Sequence, residues 1–178
     1  MATVLGQTPA PDAALQPAAQ EDTRHVAFIC SKGSLDMAYP ALVMGWAALG
    51  NGIDVTVFFT FWGLDMITKK RVNHLELSPI GNTNMKMGDM GIPNIVSVLP
   101  GMTAVATKMM KDKMGKLEVP PVGEYLQMLV DGGAKLYACK MSVDMMGLKK
   151  EDFVDGVIDI VTASDFMDMT AGAQIIFI

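Results

Sequence analysis

The stretch His25–Phe61, "HVAFICSKGSLDMAYPALVMGWAALGNGIDVTVFFTF", decides the fold. "HVAFIC" (His25–Cys30) reads as a short buried strand. "SLDMAYPALVMGWAALG" (Ser34–Gly50) reads as a helix, with Ser34 at its N-cap, Asp36 in the first turn and Gly50 closing it; Pro40 should bend or tighten the early part. "IDVTVFFTF" (Ile53–Phe61) is β-branched and aromatic, a second buried strand. A strand–helix–strand unit implies parallel pairing. Near-continuous apolar runs are what a sheet covered on both faces requires.

Working outward, the alternation continues. Ser78–Pro121 is turn-rich at first ("SPIGNTNMKMGDMGIPN"), then holds a short apolar run, Ile95–Leu99, and a helical stretch, Thr103–Lys116. After Pro120–Pro121, "VGEYLQMLVDGG" reads as a helix ending at a glycine pair. Ala134–Cys139 and Val157–Val161 read as strands. "ASDFMDMTAGA" reads as a helix capped by Ser164, and Gln174–Ile178 as a terminal strand. Alternating strands and helices give an α/β fold with a mostly parallel sheet.

The 178 residues suit one domain with a real core. Hydrophobic residues make up 51% and the mean hydropathy is +0.32, so a membrane span has to be tested. The most apolar stretch, Ala41–Leu64, is broken by "GNGID", and neither piece reaches the roughly 20 residues that a spanning helix needs. Residues 1–24, rich in Ala, Pro and Gln, lack the basic start and apolar middle of a secretory signal. They read as a flexible tail ahead of a single domain over 25–178, with a Met- and Gly-rich insertion at about 78–121. A cytoplasmic location follows as the expectation, with thiols kept reduced. The net charge of −5 argues against a general nucleic-acid binder.

Chemistry narrows to the two cysteines. Parallel strands end along one sheet edge, where ligand sites usually form. Cys30 and Cys139 both end strands, which places both thiols on the same side of the sheet. Cys139 also opens a helical run beside Lys140, and a helix N-terminus and a lysine both favour thiolate. A small buried hydrophobe is the plainer reading of either cysteine. On position alone both readings stay open. The loop Cys30–Asp36, with Ser31, Gly33 and Ser34, suits an anion but lacks the repeated glycines of a nucleotide site. His25 and His74 have no ligand-like spacing, and no metal site or cofactor is expected. Of the 17 methionines, seven fall between Met85 and Met114, where they read as core filler or as an adaptable contact surface. Lys108, Lys111, Lys113 and Lys116 form a basic face opposed only by Asp112.

With these residues in place, the chain resembles the DsrE-like sulfur-carrier and sulfurtransferase family, in its subgroup sometimes labelled peroxiredoxin-like. The resemblance is carried by "CSKGSLDMAYPALVMGWAALGNGIDVTVFFTFWGL", "LPGMTAVATKMMKDKM", "GAKLYACKMSVDMMGL" and the terminal "IIFI". It implies a three-layer α/β/α domain with a five-stranded sheet, and sulfane sulfur carried on a cysteine after the third core strand, here Cys139. Some relatives have a second cysteine in the insertion, where Met102 and Thr103 stand here. The family's topology also puts the second core strand between those of Cys30 and Cys139, which implies no disulfide within the chain. TusA-type carriers or rhodaneses are the implied partners, together with homo-oligomerisation.

Three functions follow as expectations. The first is a sulfur carrier holding persulfide or thiosulfonate on Cys139, with Cys30 as a secondary thiol and Lys140, Ser31, Gly33 and Ser34 as the anion environment. The second is a thiol peroxidase on Cys139. The third is an interaction subunit with an inert thiol.

Overall fold

The computed structural model describes residues 24–78, 86–87, 90–91 and 101–178. Residues 1–23 of the N-terminal tail and the Ile95–Leu99 run lie outside the described residues. Strands β1 (His25–Cys30), β2 (Asp54–Phe59), β5 (Lys135–Cys139), β6 (Val157–Val161) and β7 (Gln174–Phe177) form one sheet in the order β6-β5-β2-β1-β7. Every pairing in it is parallel. β3 (Lys86–Met87) and β4 (Met90–Gly91) make a separate two-residue antiparallel pair. The helices are α1 (Leu35–Gly50), α2 (Met102–Lys116), α3 (Val122–Asp131), α4 (Lys140–Met146) and α5 (Ala163–Met169).

The strand period of two splits the sheet's side chains between two cores. Val26, Phe28 and Cys30 of β1, Val55, Val57 and Phe59 of β2, and Leu136 and Ala138 of β5 belong to the larger one. α1 meets it with Leu35, Ala38, Ala41 and Leu42, and α3 with Val122, Tyr125, Leu126 and Leu129. The two helices approach closely where a Cβ on Gly45 would stand 3.3 Å from Leu129 Cδ2. On the opposite face, Ala27, Phe58 and Cys139 pack with Phe166 of α5, whose ring stacks on Phe58 at 4.5 Å. Helices on both faces make this a three-layer α/β/α arrangement.

Ser34 occupies the N-cap of α1 but makes no side-chain cap hydrogen bond, and the helix runs on through Pro40. Its first turn is tight, the N–H groups of Met37 and Ala38 both reaching the Ser34 carbonyl. β2 stops at Phe59, and Phe61–Met66 is a 3₁₀ turn, so the expected strand end at Phe61 is two residues too long. α5 is capped by Thr162, not Ser164. The Asp165 N–H donates to Thr162 Oγ1 at 3.2 Å, and the Thr162 N–H donates back to the Asp165 carboxylate at 2.9 Å. This reciprocal bonding closes two orphan helix donors at once, which Ser164, one residue inside the helix, is not placed to do. Between β5 and β6 the register slips by one residue: Leu136 pairs with Val157, but Tyr137 pairs with Asp159 and Cys139 with Val161.

Two glycines lock the loop after β1 to the turn after β2. A Cβ on Gly63 would stand 2.0 Å from the Cys30 carbonyl oxygen, and one on Gly33 would stand 2.3 Å from that of Trp62. Gly63→Ala is therefore expected to lower stability by about 1–3 kcal/mol through overpacking. Gly50→Ala, whose Cβ meets nothing within 4 Å, should be neutral or mildly stabilising. Denaturant midpoints of the two variants check this; equal midpoints would show that the turn shifts freely.

Candidate functional site

Cys139 is the last residue of β5 and the N-cap of α4, so its sulfur stands where a strand end meets a helix start. It is 5% exposed. The sulfur makes no capping hydrogen bond with α4. Burial acts on it most strongly and raises its pKa. The Ser142 N–H, the hydroxyls of Ser142 and Thr60, and the Met141 N–H act in the other direction, and together they leave the pKa below its ordinary value. A dry site lined with donors favours the anion once the donors outweigh desolvation.

Thr60 follows the Phe59–Ala138 pair, so it lies level with Cys139 across the sheet. Its Oγ1 is 3.0 Å from Ser142 Oγ, and Ser142 is fully buried. The same serine oxygen accepts the Phe61 N–H at 2.9 Å. Phe61 is left-handed at φ 45, a conformation that costs a non-glycine residue about 1–2 kcal/mol. The serine bond and the Gly63 contact hold the turn there. Phe61 and Trp62 on this turn, and Met141 and Met145 on α4, are all exposed, forming an apolar margin beside a buried thiol.

The other expected site residues are placed differently. Lys140 pairs with Asp144 at 3.0 Å, one turn along α4, and is not among the groups that act on Cys139. Thiolate character comes from helix N–H groups and hydroxyls instead. Cys30 ends β1 at the same edge as Cys139, but its side chain enters the larger core on the opposite face, so the two thiols do not share a side. Burial pushes the Cys30 thiol up to about 12. β2 separates the two strands, and both cysteines are free. Ser31 donates to the Ile178 carbonyl at 3.0 Å. Gly33 and Ser34 line a separate cavity of about 550 Å³ with Lys32, Trp62, Arg71 and His74. Cys139 is not among the residues that line this cavity. His25 Nε2 lies 2.9 Å from Thr56 Oγ1. Among the described residues, no group of three or more His, Cys, Asp or Glu side chains is placed to hold a metal ion, and no helix is long and apolar enough to cross a membrane.

Thr60, Ser142 and Phe61 escaped the sequence reading. Ser142 had a signal: three residues after an N-cap is where a side chain turns back towards the cap. Thr60 had none until the strand order was known.

Residues 22–178 match the DsrE/DsrF/DrsH-like family. The chain is 39% identical over 139 residues to the sulfur carrier protein DsrE2 of Allochromatium vinosum, covering 76% of this chain and 86% of that one. It is 25% identical over 158 residues to the uncharacterized protein YrkE of Bacillus subtilis, covering 89% and 99%. Two solved structures share the fold. One is a protein of unknown function from Methanobacterium thermoautotrophicum, at TM-score 0.53 and 11% identity, covering 87% of this chain and 99% of that one. The other is the ychN protein of E. coli, at TM-score 0.51 and 12% identity, with the same coverage.

In the native protein, alkylation of Cys139 should rise with pH and level off with a midpoint below the ordinary thiol value of 9.0. Cys30 should stay unlabelled at neutral pH until the chain unfolds. Peptide mapping after iodoacetamide treatment across a pH series checks both; a Cys139 midpoint at or above 9.0 contradicts the donor argument.

Proposed function

We propose that this chain, which belongs to the DsrE/DsrF/DrsH-like family, is a sulfur carrier that holds sulfane sulfur on Cys139 and passes it to a thiol of a partner protein. The observation that carries the reading is the setting of Cys139: a thiol nearly closed to water, yet ringed by donors that favour its anion. The 39% identity to a protein named as a sulfur carrier supports it.

The chemistry needs little else. The Cys139 thiolate attacks the outer sulfur of a donor persulfide, R–S–SH. A Cys139–sulfur bond forms, the donor's S–S bond breaks, and its electron pair leaves with R–S⁻. Unloading is the same displacement by the partner's thiolate, which releases the Cys139 thiolate. No net oxidation occurs, and the rate rests on thiolate fraction and access. Burial shields the loaded sulfur from water, while the exposed Phe61, Trp62, Met141 and Met145 offer an apolar surface to the partner. A TusA-type carrier or a rhodanese-like protein is the partner in this reading, in the cytoplasm. Cys30 takes no part, since its own burial holds it protonated. A peroxidase with Cys30 as resolving thiol fits poorly, because β2 stands between the two.

The chain also self-associates in this reading. Ile175 and Phe177 lie exposed on the edge strand β7, an apolar edge of the kind that pairing or packing covers. Light scattering over a concentration series should show assemblies larger than one chain; a monomer throughout removes that part.

Treatment with a persulfide donor should add the mass of one sulfur atom to the intact protein, reversibly by reductant. Cys139→Ser should lose the adduct and Cys30→Ser should keep it. Stoichiometric loading of the Cys139→Ser protein would end the assignment.

A further inference from the structure

We propose that Ser142 is a positioning residue that couples the charge on Cys139 to the Phe61–Trp62 turn, so that the state of the sulfur is expressed at the protein surface. The inference rests on the reading of Cys139 as the sulfur-bearing thiol. Ser142 Oγ carries one proton and accepts from others. It accepts the Phe61 N–H at 2.9 Å and lies 3.0 Å from Thr60 Oγ1. The serine is on the first turn of the helix that Cys139 caps, and Thr60 is level with Cys139 across the sheet. With a thiolate present, the serine proton turns to the sulfur. The chain Phe61 N–H to Ser142 O–H to sulfur anion is then polarised in one direction, and each bond strengthens the other. With a neutral sulfur the proton goes to Thr60, and the hold on Phe61 weakens.

Phe61 makes that difference visible. Its left-handed backbone is kept only while its neighbours keep it, and the next residue, Trp62, is 64% exposed. In the loaded form Cys139 Sγ is a neutral disulfide-type sulfur, the charge having left with R–S⁻. Any charge from ionisation of the persulfide lies on the outer sulfur, about 2.05 Å away. Loading thus withdraws the anion from Ser142 and releases the turn at the moment a partner must recognise the loaded form. Several charged groups on the surrounding elements are occupied elsewhere, and Asp168 is a further acid on α5, the helix packed on the Cys139 face. Lys140 pairs with Asp144, Lys150 with Asp159, Arg71 with Asp65, and Asp165 with the Thr162 backbone.

Trp46→Phe leaves Trp62 as the sole tryptophan of the full chain. In that protein, Trp62 emission should titrate with the same midpoint as Cys139 alkylation, and should shift when iodoacetamide caps the sulfur. Adding Ser142→Ala should slow alkylation at neutral pH about tenfold, the equivalent of one pKa unit. It should also make Trp62 indifferent to the sulfur. Thr60→Val removes a donor but leaves Phe61 anchored, so alkylation slows while Trp62 still follows. Emission independent of Cys139 in the parent, or emission that still follows it in the Ser142→Ala protein, overturns the coupling. If Ser142→Ala does not fold, the Thr60→Val protein decides, and a Trp62 that ignores the sulfur there overturns the coupling. Sulfur uptake is weighed separately. A chain that takes up no sulfur while Trp62 follows the thiolate refutes the carrier reading and supports the coupling. A chain that loads with Trp62 indifferent refutes the coupling alone.

Discussion

β2 is paired on both sides, to β1 and to β5, and all but its first residue is buried. A strand held this way requires cover on both faces of the sheet, and that requirement sets the rest. α1 and α3 close one face over Val55, Val57 and Phe59, while α5 closes the other over Phe58. Where β2 ends, Thr60 is already level with the end of β5. The hydroxyl beside the thiol is thus a product of the register of the central strand.

The two cysteines show how little a shared sheet edge determines. Both end parallel strands at the same edge, and both are almost closed to water. Cys30 sits in the larger core, where desolvation by burial is what acts on it, and its thiol rises to about 12. Cys139 has a helix start and two hydroxyls, and its thiol falls. Burial of the same group gives opposite chemistry according to whether donors are buried with it.

The strands were legible because apolar runs of five or six residues bounded by polar turns have few other readings. Their phase was not. Cys30 shares a face with Phe28, and Cys139 with Tyr137, but that these faces oppose each other depends on strand order and pairing, which no local pattern records. The α5 cap could have been read, since Thr162 and Asp165 stand three apart with Ser164 between them as a distraction. Lys140 misled for a different reason. A lysine beside a cysteine in sequence points elsewhere once an aspartate waits one turn along the helix. Ser142 and Phe61 meet across more than eighty residues, and only the folded chain connects them.

The slipped register between β5 and β6 has a consequence for how this sequence can vary in length. In unbroken pairing after Leu136–Val157, Asp159 would fall opposite Ala138 and send its carboxylate into the larger core, where an unpaired charge is not tolerated. The one-residue slip returns Asp159 to the Tyr137 face and brings Val161 alongside Cys139. Ile158, exposed in the irregular step, is the residue that re-phases the strand. β6 therefore behaves as a counted segment beyond the slip: Ile158 could be lost with Asp159 still opposite Tyr137, but losing a residue between Asp159 and Val161 would turn Val161 towards the larger core and put Thr162 next to the thiol.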